Sequence, residues 1–203
     1  MPILLGILLL FLSALPVKAE TPKFTTDLIV NYIYSATGSS IVKQNFTVTN
    51  LTSQYLISNY EYRITGPFPD HLSGRDAKGP LTLQTEKLND AITLVRVIFN
   101  DVVAGKNHSL HFTLTHDGPP LIQNGETKEI VLPAISDISS VSDYAIWLTV
   151  PHSFGLLAYS SPPPTSHKPE EKSKTTTYIY KDNLSENLNI QTIFGNFQSW
   201  GMK

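Results

Sequence analysis

Three histidines near the middle of the chain, His108, His111 and His116, are the first group whose type and spacing could do chemistry. Converging neutral imidazoles would make a transition-metal site. The segment that carries them alternates, with Leu110, Phe112 and Leu114 on one parity. A strand sends successive side chains to opposite faces, so His108 and His111 point apart. His108 and His116 share a parity but lie about 27 Å apart along an extended chain, at roughly 3.4 Å per residue. The pattern argues against a metal centre, and solvated histidines in a loop and at a strand end are expected. No metal ligand and no cofactor site is assigned.

Nucleophilic catalysis fares no better. A serine nucleophile needs a base and an orienting acid. Ser153 follows His152 directly, which on a strand turns the two away from each other, and no Gly-x-Ser-x-Gly elbow occurs. Acidic residues are scattered, and no pair can be placed at the roughly 5–10 Å that glycoside hydrolysis requires. Gly-x-Gly-x-x-Gly and Walker loops are absent, as is EF-hand spacing. Cysteine is absent, which removes a thiolate nucleophile, a disulfide and a zinc–thiolate or iron–sulfur site. No catalytic residue is assigned, and the chain is expected not to be an enzyme.

Aromatic residues form a more suggestive group. Tyr32, Tyr34, Tyr55, Tyr60 and Tyr62 cluster early, and Trp147 and Trp200 come late. A row of exposed, coplanar rings would make a carbohydrate-binding module. The contrasting reading is a core filled by tyrosines with their hydroxyls at its edge. Tyr32 and Tyr34 share the apolar parity of their segment, which favours the core. The exposure of Tyr55, Tyr60, Tyr62 and Trp147 separates the two. Four Asn-x-Ser/Thr sequons, at Asn45, Asn50, Asn107 and Asn183, would accept glycans on exposed positions if the source is eukaryotic.

The elements that must position these residues read as strands. Val, Ile, Thr, Tyr and Phe recur, broken at short intervals by Gly, Asn, Asp and Pro, and no helical period is sustained. In the first segment Phe24, Leu28, Val30, Tyr32 and Tyr34 share one parity. Thr37-Gly38-Ser39 turns the chain, and residues 41–51 return with Phe46 and Val48 inward and Asn45, Thr47 and Thr49 outward. Further strands are expected at 58–65, 81–86, 91–99, 109–115, 128–132, 144–150, 175–180 and 188–193. Together they predict an all-β fold, an antiparallel sandwich of roughly 10–12 strands. Residues 66–80 read as a surface loop. Residues 160–174, proline-rich and then charged, read as a long mobile loop.

The first 19 residues stand apart. Ile3 to Leu15 are almost wholly apolar, Pro16 ends the run, and Val17-Lys18-Ala19 suits cleavage before Glu20. An N-terminal signal helix over 1–19 and a sandwich domain over 20–203 are therefore expected, with the protein secreted or in the cell envelope. Contact with a membrane is expected only through this signal or anchor. The formal charge of −2 across 203 residues argues against a nucleic-acid partner.

Several segments in order carry a resemblance. They are Val30-Asn31-Tyr32-Ile33-Tyr34 with Val42 to Asn50; Val102-Val103-Ala104-Gly105-Lys106 with Leu110 to Leu114; Trp147 to Gly155 with Ser160-Ser161-Pro162; and Ile193-Phe194-Gly195-Asn196-Phe197-Gln198. This order resembles the N-terminal β-sandwich of exported bacterial proteins that carry a downstream transglutaminase-like, cysteine-protease-type domain. The family's catalytic Cys, His and Asp have no counterpart here, so the resemblance implies an accessory, recognition or spacer module from a truncated or split gene. An envelope protein or cell-wall component would be its partner. The turn-then-strand pattern is also similar to the N-terminal sandwich of metallo-aminopeptidase-like proteins, and the His-Glu-x-x-His motif of that group is missing.

Overall fold

The structure, a computed structural model, describes residues 22–66, 69–133, 141–181 and 189–196. The expected signal helix, the Ala19–Glu20 cleavage point, Asn183 and Trp200 lie outside the described residues. Within them no helix is long and apolar enough to cross a membrane.

Fifteen strands are described. A long hairpin opens the fold, β1 (Phe24–Tyr34) against β2 (Ser40–Asn50), in register from Phe24↔Asn50 to Tyr34↔Ser40. Its period-two pattern buries Leu28, Val30, Tyr32 and Tyr34 on one strand and Val42, Gln44, Phe46 and Val48 on the other. The next strands are β3 (Ile57–Thr65), β4 (Ser73–Asp76), β5 (Gly79–Pro80), β6 (Thr82–Asn89) and β7 (Ile92–Val103). Then come β8 (Ser109–Asp117), β9 (Ile122–Asn124), β10 (Thr127–Leu132) and β11 (Asp143–Pro151). The last are β12 (Leu156–Ser161), β13 (Ser166–Glu170), β14 (Thr175–Tyr180) and β15 (Ile190–Gly195).

These strands form three sheets rather than two. A large sheet runs in the order β13-β14-β11-β1-β2-β8-β4-β5, beside a four-stranded sheet β12-β15-β10-β9 and a three-stranded sheet β3-β7-β6. The expectation of a wholly antiparallel sandwich is corrected at the centre of the large sheet, where β1 and β11 pair in parallel. A parallel pair needs a long crossover, and here strands of all three sheets intervene in the chain between the two.

Both smaller sheets contribute to one core over the inner face of the large one. On one side Phe46 stacks on Phe112 with centroids 4.6 Å apart and meets Tyr62 of β3 at 4.9 Å. On the other, Phe154 and Phe194 join Tyr34 and Tyr178 in edge-on and tilted contacts. Ring contacts of this kind add to the hydrophobic gain from burying the rings.

Two expected loops each contain strands. Residues 73–80 form the short hairpin β4–β5, whose first strand adds to the large sheet beside β8. Residues 166–170 form β13, an edge strand paired with β14. Every residue of β13 is exposed, and Pro169 and the charges at Lys168 and Glu170 suit an edge that must not recruit another strand. Such a strand has no buried face to imprint an alternation on its sequence. His152 and Ser153 lie in a single 3₁₀ turn, His152–Phe154, not on a strand. Gly155 ends that turn at φ 88°, and a Cβ there would sit 2.5 Å from the Gly195 carbonyl oxygen.

Candidate functional site

The two covering sheets leave a cavity of about 370 Å³ where they meet over the large sheet. The large sheet supplies its floor with Tyr32, Val42, Gln44 and His116. Tyr62 and Ile64 of β3 form one wall, and Val131 of β10 stands on another side. The remaining border is the segment Asp117-Gly118-Pro119-Pro120 that leaves β8.

That segment is fixed. The Tyr34 and Ser40 hydroxyls both donate to the Pro119 carbonyl, at 2.9 and 2.7 Å. Gly118 donates its backbone N–H to the Ser40 carbonyl at 3.0 Å. The approach is so close that a Cβ on Gly118 would lie 2.4 Å from Ser40 Oγ, which explains a glycine there. His71 and Asp117 form an exposed pair at 2.9 Å, and the carboxylate raises the imidazole's pKa through that bond and its charge. Asp70 and Asp117 leave carboxylates at the rim.

Inside, polar groups outnumber their partners. Gln44 is 4% exposed and His116 is 8% exposed. Gln44 donates its amide N–H to the Tyr62 hydroxyl in a long bond of 3.4 Å, while its Oε1 has no partner. His116 Nδ1 lies 2.6 Å from the Asp117 carbonyl oxygen. A carbonyl can only accept, so Nδ1 carries the proton, and Nε2 of the neutral ring is a bare acceptor. That Nε2 also has no partner. Burial lowers the His116 pKa, and the bond and charge at Asp117 offset this only in part. The Tyr144 hydroxyl is a third buried group without a partner. Burial drives the hydroxyls of Tyr32, Tyr62 and Tyr144 far above their ordinary pKa, and repulsion from neighbouring tyrosines, Tyr34 acting on Tyr32, Tyr32 and Tyr60 on Tyr62, and Tyr32 and Tyr62 on Tyr144, adds to the effect.

Gln44 and His116 act as a pair by position. In the β2–β8 register Gln44 faces Leu114 and Val42 faces His116, so the two are diagonal neighbours on one face. Diagonal pairs lie roughly 7–8 Å apart at the backbone, within the span of one small molecule. Neither residue was expected at a site, although each carries a signal. Gln44 shares the inward parity of Phe46 and Val48, and His116 that of Phe112 and Leu114. A polar residue on a core parity demands a partner, and here the partner is missing.

The residues first considered for chemistry are dispersed. His108 precedes β8 in a turn, His111 lies on the outer face bonded to Thr47 at 3.0 Å, and His116 is inside. The expectation of solvated histidines is therefore corrected for His116. Among the described residues no three His, Cys, Asp or Glu side chains converge. His152 Nε2 lies 3.0 Å from the Thr175 carbonyl oxygen. The tyrosines divide: Tyr62 is buried and Tyr60 half-buried, while Tyr55 is exposed beneath Lys23 and Trp147 stands on the outer face of β11. The four do not make one exposed row. Of the sequons, Asn107 is exposed and Asn45 is half-buried, accepting from the Thr113 hydroxyl. Asn50 is fully buried, with its amide donating to the Tyr55 carbonyl and accepting from Thr52, so the expectation of an exposed acceptor is corrected there.

A second, open concavity of about 820 Å³ lies on the outer face, with Lys43, Asn45, Arg75 and His111 along it. Among the described residues it holds no buried unpartnered atom.

No family model matches the chain, and no curated protein does. Among solved structures it is similar to Legionella pneumophila aminopeptidase A in complex with aspartic acid, at 12% identity and a TM-score of 0.45, over 89% of this chain and 22% of that one. It is similar to native yeast LTA4 hydrolase at 10% identity and a TM-score of 0.47, over 93% and 33%. It is also similar to an M1 zinc metallopeptidase from Deinococcus radiodurans, at 11% identity and a TM-score of 0.44, over 85% and 41%. The chain spans less than half the length of each of these proteins.

Proposed function

We propose that this chain is a recognition module that holds a compact ligand in the cavity between its sheets and performs no chemistry on it. The observation that carries the reading is a cavity of about 370 Å³ bordered by two residues, Gln44 and His116, that each keep a buried acceptor with no partner. A buried acceptor left unpaired costs about 1–3 kcal/mol, so the region around the cavity is not optimised for stability alone. The volume falls within the roughly 300–1,000 Å³ of small-molecule sites, and apolar walls with a few convergent polar groups are their usual composition.

A non-catalytic role fits the lining. None of the described lining residues is Ser, Cys or Lys. His116 is oriented by a backbone carbonyl rather than a carboxylate, and no serine or thiol lies before its free nitrogen. The apolar run at Ile3 to Leu15 and the small-x-small pattern before Glu20 support placing the module outside the cytoplasm. The order of segments that resembles a transglutaminase-like protein's first sandwich supports an envelope setting, with a cell-wall component or envelope protein as partner.

The test is a titration of the full chain with neutral, cationic and anionic ring fragments, followed by backbone amide shifts in NMR. The reading expects at least one fragment to shift residues around Gln44, Tyr62 and His116 together. Shifts confined to the outer concavity, or none at all, would contradict it.

A further inference from the structure

We infer that the outer face of the large sheet carries a second site, for an acidic oligosaccharide, in the open concavity over β2, β8 and β4. The site is independent of the cavity between the sheets. The register sets Lys43, Thr115 and Ser73 in one row across these strands and Asn45, Thr113 and Arg75 in the next. All six line the concavity, and Lys43 and Arg75 are exposed. Elsewhere Lys78, Lys87, Arg96 and Lys181 each meet a carboxylate. Among the described residues Lys43 and Arg75 meet none. The one carboxylate in the lining, Asp76, is engaged by Lys78, Gly79 and Asn100. Asp117 at the end of β8 is bonded to His71, and Asp27 stands on β1 beside Thr47, outside the lining. The concavity therefore keeps two unneutralised cations in a chain whose formal charge is −2.

Between the cations the surface is polar. Thr113 donates its hydroxyl to Asn45 Oδ1 at 2.9 Å, which leaves the Asn45 amide N–H groups to donate. Cations and donors without a competing carboxylate call for a ligand rich in anionic and hydroxyl oxygens. Lys43 and Arg75 lie two strands and one side-chain repeat apart, roughly 12 Å at the backbone, at roughly 4.8 Å per strand and 6.8 Å per repeat. That span, with a volume of about 820 Å³, suits a chain of two or three sugar rings better than one small ion. An acidic peptide fits less well. β2 and β8 are flanked by strands on both sides, so a peptide laid on this face finds no strand edge to pair with.

Four probes test this on the full chain at low ionic strength: a galacturonate hexasaccharide, a heparin hexasaccharide, neutral maltohexaose and hexaglutamate. At least one acidic sugar should shift the backbone amides around Lys43, Asn45 and Thr113 and bind at least about tenfold more tightly than maltohexaose or hexaglutamate. Which one does so tells carboxylate from sulfate. Binding should weaken in about 0.5 M salt. K43Q and R75Q, both at exposed positions, should each weaken it about two- to fivefold, and the double variant about tenfold. K168Q, on the distant edge strand β13, should leave it unchanged. Tyr62 and Val131 border the cavity and not the concavity, so they should not move, and the two sites are read separately. Hexaglutamate or maltohexaose binding as tightly as the acidic sugars would overturn the ligand class. No binding of either acidic sugar, or an equal loss in K168Q, would overturn the site.

Discussion

Gln44 and Phe46 lie two residues apart on one face of β2, and what covers them differs in kind. Phe46 meets Phe112, Tyr60 and Tyr62 in one aromatic group, all within 5.6 Å between centroids. Gln44 meets Tyr62 through one long bond and otherwise opens on a cavity. The strand treats both alike, because its alternation sends both inward. The cover decides the rest: β3 and β7 close over Phe46, whereas Gln44 lies where that sheet gives way to the four-stranded one. Burial alone does not mark a site. Burial without a partner beside a cavity does.

The contrast extends to polar groups. Asp76 is also buried, opposite Phe112 in the β4–β8 register. Its carboxylate accepts the Lys78 and Gly79 backbone N–H groups at 2.8 and 3.0 Å and the Asn100 amide at 3.2 Å. Desolvation pushes its pKa up, but those donors, together with the Asn100 backbone N–H, outweigh it and hold it below the ordinary carboxylate range. Asp76 is thus satisfied, whereas Gln44 Oε1 and His116 Nε2 are left open.

The largest break in this comparison comes from the filled half. Phe46→Ala should cost about 3–5 kcal/mol in denaturant unfolding, because it empties the centre of the aromatic group. A loss under about 1 kcal/mol would mean that half is not close-packed. Asp76→Asn should cost about 1–2 kcal/mol at neutral pH by weakening charge-assisted bonds. Asp76 has a lowered folded pKa, so its contribution is present above the unfolded value and lost as pH falls through the folded one. The variant and parent should therefore converge in stability in strong acid, and a constant gap would count against the assignment.

How much of this was legible in the sequence follows from the same physics. Leu28, Val30, Tyr32 and Tyr34 show their face directly, because one buried side imposes a period of two. β13 shows nothing, because an exposed edge imposes no pattern. The parallel pairing of β1 with β11 is set by how three sheets share one core, which no local segment records. The site was half legible. Gln44 and His116 stand on core parities, but whether a buried acceptor finds a partner depends on strands distant in the chain.

Smaller effects sharpen the open half. Gln44→Leu should raise stability by about 1 kcal/mol, since the lost bond to Tyr62 is long and the removed acceptor has no partner. A clear destabilisation would reveal a partner for Gln44. The smallest expected effect is a pH slope from His116. Burial lowers its folded pKa below the ordinary 6.5, so the unfolded chain binds the extra proton. Stability should fall by less than about 1 kcal/mol as pH drops from 6.5 to 5.5. H116F should flatten that part of the curve, and an unchanged slope would assign it elsewhere.

The most direct test of the central claim is the protonation of the His116 ring, read by long-range proton–nitrogen NMR at pH 7.5. The account predicts a neutral ring with the proton on Nδ1, whose resonances move when a ring fragment that shifts Gln44 and Tyr62 is added. A protonated Nε2, or a ring that ignores every such fragment, would contradict it.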